Sequence, residues 1–452
     1  MRTETATVLL VVVLAVSSVA MAAPVGSSSA FDAGDQPVGM LSSATGPADP
    51  PTAQHDPPST SQETLAGFAE VHEAGVTGDD VRVGVLGSQF APAGSPIDDE
   101  VVGSRQFGGD ERELFADTTH DTAVAEIVTR TAPDADLYLA SVGTDGSPER
   151  YERAVEWLRA KDVDVVVDSG SYFPTSPAGM AKLNEVAAET AENDTAFVTS
   201  AGNYADSHWA GMGESGWVSF ENDTRYNTLG DGEISGTTSL RLYWTGDADY
   251  DLYLYRAESG EDTLVAKSTG EDAGNGSHSE AIDARLPGGE YYVAVRGGPN
   301  ASGTDVELFA SNHELAISSE NGGMVAPATA EGVIAVGAVD GVSGEPRPYS
   351  STGPELDISA PDGAATSSAG DLYGSSAAAP LAAGTLALML GENDRLSATG
   401  AEYVLRDSAV RDDGRLYLDA AGAVQAASPE SEPGFSATTL AWYNETASED
   451  GS

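Results

Sequence analysis

Four short apolar runs set the fold class: VRVGVL (81–86), DLYLAS (136–141), DVVVDSG (164–170) and TAFVTSAGN (195–203). Near-continuous apolar runs of this length fit strands covered on both faces, as in parallel sheets. Between them, RYERAVEWLRA (150–160) and GMAKLNEVAAETAEN (179–193) carry apolar residues at helical spacing. The β–α–β alternation predicts an α/β fold, a doubly wound and mostly parallel sheet. In such sheets the functional residues sit at the carboxyl ends of the strands.

The pattern changes after Asn203. Stretches such as SLRLYWTG, YDLYLYRA, DTLVAKST and DVELFAS alternate polar and apolar residues between turn signals, which reads as an all-β sandwich or jelly roll. Ala-rich helical sequence resumes with MVAPATAEGVIAVGAVD. The expected layout is a signal peptide over 1–22, a disordered linker over 23–60 and a first α/β part over 61–203. An inserted β module then fills 204–320, a second α/β part 321–426 and an acidic tail 427–452.

The amino terminus sets an apolar run, Val8 to Val19, between Arg2 and the small residues Ala20-Met21-Ala22. That is the pattern of a cleaved secretory signal, and the run is short for a membrane span. The expectation is a secreted, extracellular, monomeric protein, free of the membrane after cleavage. The chain has no Cys, so no disulfide contributes to stability. Sequons occur at Asn193, Asn222, Asn275, Asn300 and Asn444.

Charge excludes some partners. With 72 acidic and 21 basic residues the formal net charge is −51, which repels nucleic acid and anionic membranes. Acids spread through every segment, with few lysines, fit a surface hydrated in concentrated salt, where self-repulsion is screened. The chain reads as halophilic.

Three segments carry chemistry. THDTAVAEIV (119–128) opens a helix with His120, SAGN (200–203) ends a strand at Asn203, and GSSAAAPLAAGTLALML (374–390) places Ser376 at a Gly-led turn into an apolar helix. A Ser there has helix N-terminal donors beside it, an Asn amide adds an oxyanion donor, and a His can take the Ser proton.

With EGVIAVGAVDGVSGEPRPYSSTGPELDISAPDG between the last two, these motifs in this order resemble the subtilisin-like serine peptidases, or subtilases. The resemblance covers about residues 63–203 and 322–426. The insert resembles the β-sandwich modules of secreted peptidases. What the resemblance implies is a serine endopeptidase acting on proteins or peptides, with no cofactor required. Ser376 would be the nucleophile, His120 the general base and Asn203 the oxyanion donor. Ser169, Gly170 and Ser171 would bind substrate backbone as an added strand.

Departures from the family pattern cluster at the catalytic acid. Gly87 stands where the family has Asp, Gln89 where it has Gly, and Asp121 where a Gly follows the His. An i+1 side chain on a helix points about 100° away, so Asp121 is not expected to reach His120. Asp98, Asp99 and Asp117 lie on loops of unknown path. Two readings stay open: a peptidase impaired by loss of its acid, and a pseudo-peptidase that binds peptide or protein partners without turnover. Asp247, Asp249 and Asp251 could ligate Ca²⁺, though a solvated strand edge explains them; no metal site is assigned. Tyr250, Tyr253 and Tyr255 read as packing within the insert.

Overall fold

The computed structural model describes residues 39–41, 66–108, 118–143, 147–174, 177–244, 246–270, 278–319, 321–412 and 414–429. The expected signal peptide, nearly all of the linker and the tail beyond 429 lie outside these residues, as do Asp117, Asn275 and Asn444.

In chain order the first part holds β1 (Gly39–Leu41), α1 (Ala66–Glu73), β2 (Arg82–Gly87), β3 (Val101–Gln106), α2 (Thr118–Thr131), β4 (Asp136–Ser141), α3 (Pro148–Arg159), β5 (Val165–Asp168), β6 (Ser171–Phe173), α4 (Pro177–Glu192) and β7 (Ala196–Ser200). The insert holds β8 (His208–Met212), β9 (Gly216–Trp217), β10 (Asn227–Trp244), β11 (Tyr250–Arg256), β12 (Thr263–Ser268), β13 (Ser279–Gly297) and β14 (Asp305–Ser311). The second part adds β15 (Ile334–Val339), β16 (Ile358–Pro361), β17 (Ala364–Thr366), β18 (Gly370–Leu372), α5 (Ser375–Glu392), α6 (Ala398–Ser408), β19 (Val410–Asp412), β20 (Arg415–Tyr417) and α7 (Ala420–Ala427).

The four apolar runs become β2, β4, β5 and β7 of one sheet, ordered β3-β4-β2-β5-β7-β15-β16-β20-β19. Its pairs are parallel apart from the β19–β20 hairpin. Alternate residues of a strand reach opposite layers. Val165 and Val167 face α2 and α5, while Val166 faces α3 and α4. Both faces are covered, which is why the runs are apolar throughout.

The winding reverses at β2. The chain runs out to β3 and β4 on one side, then continues through β5, β7, β15 and β16 on the other. A crevice therefore opens at the carboxyl ends of β2 and β5. Helix α5 is buried from Ser375 to Met389, as expected of a helix apolar all round. Thr131 of α2 lies so close to Gly384 of α5 that no side chain fits there, and the glycine lets the two helices pack closely.

The hydrogen bonds of the insert describe an antiparallel six-stranded order, β12-β11-β13-β10-β14-β8. Its Gly-rich stretches look like turns in sequence. Instead, β10 and β13 run on for 18 and 19 residues, with their pairing shifting register between Leu229 and Gly236. These shifts are bulges, which bend strands without ending them. Tyr250 is part of the apolar core of this sheet. One expectation is corrected, that of the linker: residues 39–41 form β1, antiparallel to β6, with Leu41 opposite Ser171 and Gly39 opposite Phe173.

The insert leaves after Asn203 and returns before Gly323, and Ser351 ties the two ends. Its amide donates to Gly202 O (2.9 Å), its hydroxyl donates to Gly323 O (2.9 Å) and accepts from the Tyr204 amide (3.1 Å). Phe173, at the end of β6, is buried edge-on against Tyr204 and Phe309 at ring distances of 5.4 and 5.1 Å. Among the described residues no helix is long and apolar enough to cross a membrane.

Candidate active site

The site grows from the amino end of α5. Gly374, at φ +90°, makes the turn into the helix, a backbone conformation that side chains rarely adopt. Its amide is held by Asp362 Oδ2 at 3.0 Å. Asp362 is fully buried, and its other oxygen accepts from Arg347 Nε at 2.8 Å. A buried carboxylate needs such a partner, so the Arg347–Asp362 pair anchors the turn from behind.

Two residues on, Ser376 donates its hydroxyl to Ser169 O at 3.2 Å, and the Ser169 hydroxyl donates back to Ser376 O at 3.1 Å. The second bond has a sequence cause. Pro380 lies four residues after Ser376 inside α5 and has no N–H to donate to that carbonyl. Ser169 lies just past the carboxyl end of β5, so this exchange fixes α5 on the sheet edge.

Asn203, just past β7, accepts at Oδ1 from the Ser375 amide (2.9 Å) and the Ser375 hydroxyl (3.1 Å). An amide N–H requires an acceptor, which assigns the Asn203 oxygen to that side and leaves its NH₂ as the donor end. A Cβ at Gly374 would strike this amide.

His120 is the third residue of α2, 5% exposed. Contrary to the helical-angle expectation, Asp121 does reach it: Asp121 Oδ1 is 2.8 Å from His120 Nδ1. At the open first turn of the helix, both side chains lean toward the amino terminus, and Nδ1 is the ring nitrogen nearer the backbone. The other oxygen, Oδ2, accepts from the Ser88 hydroxyl at 2.7 Å and the Gln89 amide at 2.9 Å. A Cβ added to Gly87 would lie 2.6 Å from the Asp121 carboxyl carbon. The three residues behind the non-catalytic reading, Gly87, Gln89 and Asp121, thus meet at one carboxylate.

Asp168 supports the segment that follows β5. Fully buried, it accepts from the Gly170 amide (2.9 Å), Tyr172 (3.2 Å) and Tyr151 (3.0 Å). Burial pushes its carboxyl up to about 7, with the charge of Asp121 adding a small push in the same direction. Of the other histidines, His208 is buried against Phe309 in the insert, and burial lowers it to about 4. Among the described residues no group of three or more His, Asp or Glu is arranged to hold a metal.

His120, Asn203, Ser376 and Ser169–Gly170–Ser171 therefore share the carboxyl edge of β2, β5 and β7. Asp121, Asp168 and Asp362 join them unforeseen. Asp168 and Asp362 carried no signal that marks them among 72 acids. Asp121 did, through the matching departure at Gly87.

A model of the Subtilase family (peptidase S8) matches residues 235–428, a span that holds Ser376 and begins inside the insert. The CspB protease of Clostridium perfringens superposes with a TM-score of 0.56 at 17% identity, covering 81% of this chain and 98% of that one. In fold the chain is subtilisin-like, and residues 235–428 match the Subtilase family model. A lanthipeptide protease (16% identity, TM-score 0.46, 81% and 95% covered) and the prenylagaramide maturation protease PagA (15%, 0.47, 81% and 100%) are also similar to this chain. No curated protein sequence matches it.

Proposed function

We propose that this chain is an exported, salt-adapted endopeptidase that cleaves protein or peptide substrates through an acyl-enzyme on Ser376. The observation that carries the reading is the placement of Ser376: first turn of a buried helix, hydroxyl on the Ser169 carbonyl, Asn203 amide locked beside it.

A peptide laid along β6 takes the place of the chain's own residues 39–41, which pair antiparallel with that strand. Ser376 Oγ attacks the scissile carbonyl while its proton passes to His120 Nε2. The oxyanion is met by the Asn203 NH₂ and the helix N-terminal amides. His120 then gives the proton to the leaving amine as the C–N bond breaks, and a water repeats the sequence to release the acid. All protons and electron pairs move among chain, substrate and water, so the reaction calls for no cofactor. Export rests on the amino-terminal signal pattern, and salt adaptation on the net charge of −51.

The test is hydrolysis of casein and peptides at multimolar salt by the purified mature chain, beside Ser376→Ala. Turnover absent from the variant is expected; equal rates in the two would overturn the reading.

A further inference from the structure

We propose that Asp121 is the acid that positions His120, moved from the end of β2 to the residue after the base, and that Gly87 and Asp121 are two halves of one exchange. The proposal rests on the peptidase reading.

The first support is geometric. Asp121 Oδ1 lies 2.8 Å from His120 Nδ1, with both side chains almost wholly buried, at 7% and 5% exposure. A carboxylate only accepts, so the ring proton sits on Nδ1 and the Nε2 lone pair is the basic end. With the base charged, the pair is a short, desolvated contact between opposite charges, the arrangement that stabilises an imidazolium.

The second support is that the carboxylate is held. Ser88 and Gln89 both donate to Oδ2, from the loop that leaves β2. Oδ1 is thereby kept on the ring.

The third is spatial. A Cβ on Gly87 would come within 2.6 Å of Asp121 Cγ, and within 2.8 Å of its Cβ and Oδ2. The Asp121 side chain fills the volume into which a side chain at 87 would project. An acid reaching the base from the strand and one reaching it from the helix cannot both be present. Against the family pattern of Asp on the strand and Gly after the His, this chain has Gly on the strand and Asp after the His. Two departures that each look like damage are jointly one carboxylate delivered from the opposite side.

The test compares wild type, Asp121→Asn, Asp121→Gly, Gly87→Asp and the double variant Gly87→Asp/Asp121→Gly, by kcat and KM on one peptide at multimolar salt. Asp121→Asn is expected to lower kcat by about 10⁴-fold with KM nearly unchanged. Gly87→Asp crowds the carboxylate and lowers kcat as well. The double variant is expected to recover at least 100-fold over Asp121→Gly, a rescue that a merely structural role for Asp121 would not give. Ser376-dependent turnover that survives Asp121→Asn within a few-fold overturns the proposal and leaves the peptidase reading standing. A readout without turnover covers variants that fail to fold and a wild type that is inactive. In ¹⁵N-histidine-labelled Ser376→Ala protein, His120 is expected to show an Nδ1-bound, exchange-protected proton at low field. An unprotonated or unprotected Nδ1 overturns the proposal, whatever the activity of the chain.

Discussion

Ser169 and Ser376 hold each other twice, each hydroxyl on the other's carbonyl, across 207 residues of sequence. The pair joins the sheet edge after β5 to the start of α5, and Pro380 withholds the helical bond that Ser376 O would otherwise accept, leaving that carbonyl to Ser169. Ser169→Ala removes one of the two bonds and leaves a buried carbonyl unsatisfied, which costs about 1–3 kcal/mol. The expected outcome is a lower Tm and a fall in kcat of about tenfold as Ser376 loses its anchor. An unchanged Tm and kcat would show the exchange to be idle.

Asn203 should matter to rate more than to stability. Its oxygen is held by Ser375, so the donor end is what a substitution removes from the oxyanion. Asn203→Ala is expected to lower kcat by about 10²–10³-fold with little change in KM. A fall confined to KM would reassign Asn203 to substrate binding.

Asp168 makes stability depend on pH. Its carboxyl is raised to about 7 in the fold, chiefly by burial. The fold therefore binds this proton more tightly than the unfolded chain does. The stability it contributes is full below the ordinary carboxylate range and is lost as pH rises through about 7, at roughly 1.4 kcal/mol per pKa unit. Glu280 in the insert, also raised to about 7 by burial, acts in the same direction. Thermal unfolding between pH 5 and 8 should show Tm falling with pH, and Asp168→Asn should flatten the slope. A slope equal in the variant would place its origin elsewhere.

Salt should stabilise the chain. A net charge of −51 repels itself over a Debye length of about 10 Å at 0.1 M salt and about 3 Å at 1 M. Tm is expected to rise steadily from dilute buffer to multimolar KCl, with loss of the folded state on desalting. A salt-independent Tm would mean that the acids are spaced widely enough not to interact.

Much of this molecule is legible in its sequence, for reasons that also mark where legibility ends. Val165–Val167 and Ala196–Ser200 are covered on both faces, so their composition alone announces a parallel sheet. Ser376 and Asn203 could be placed because a Gly turn, a helix start and a strand end fix where they sit. The insert is recognisably β, but the length of its strands is not legible, because the glycines at 230, 232 and 236 serve equally for a turn or a bulge. The helical angle that sets Asp121 away from His120 holds in mid-helix. In a first turn, a short carboxylate has room to swing toward the imidazole, and only the space above Gly87 reveals that it does.

Phe173 has a consequence beyond its burial. It closes the strand along which a peptide would lie, yet its ring is wedged between Tyr204 and Phe309, and Tyr243 of the insert donates to the next carbonyl, Pro174 O, at 3.0 Å. The β module is thus a buttress to the cleft wall. Exchanging it between related chains would carry part of the subsite geometry along with it.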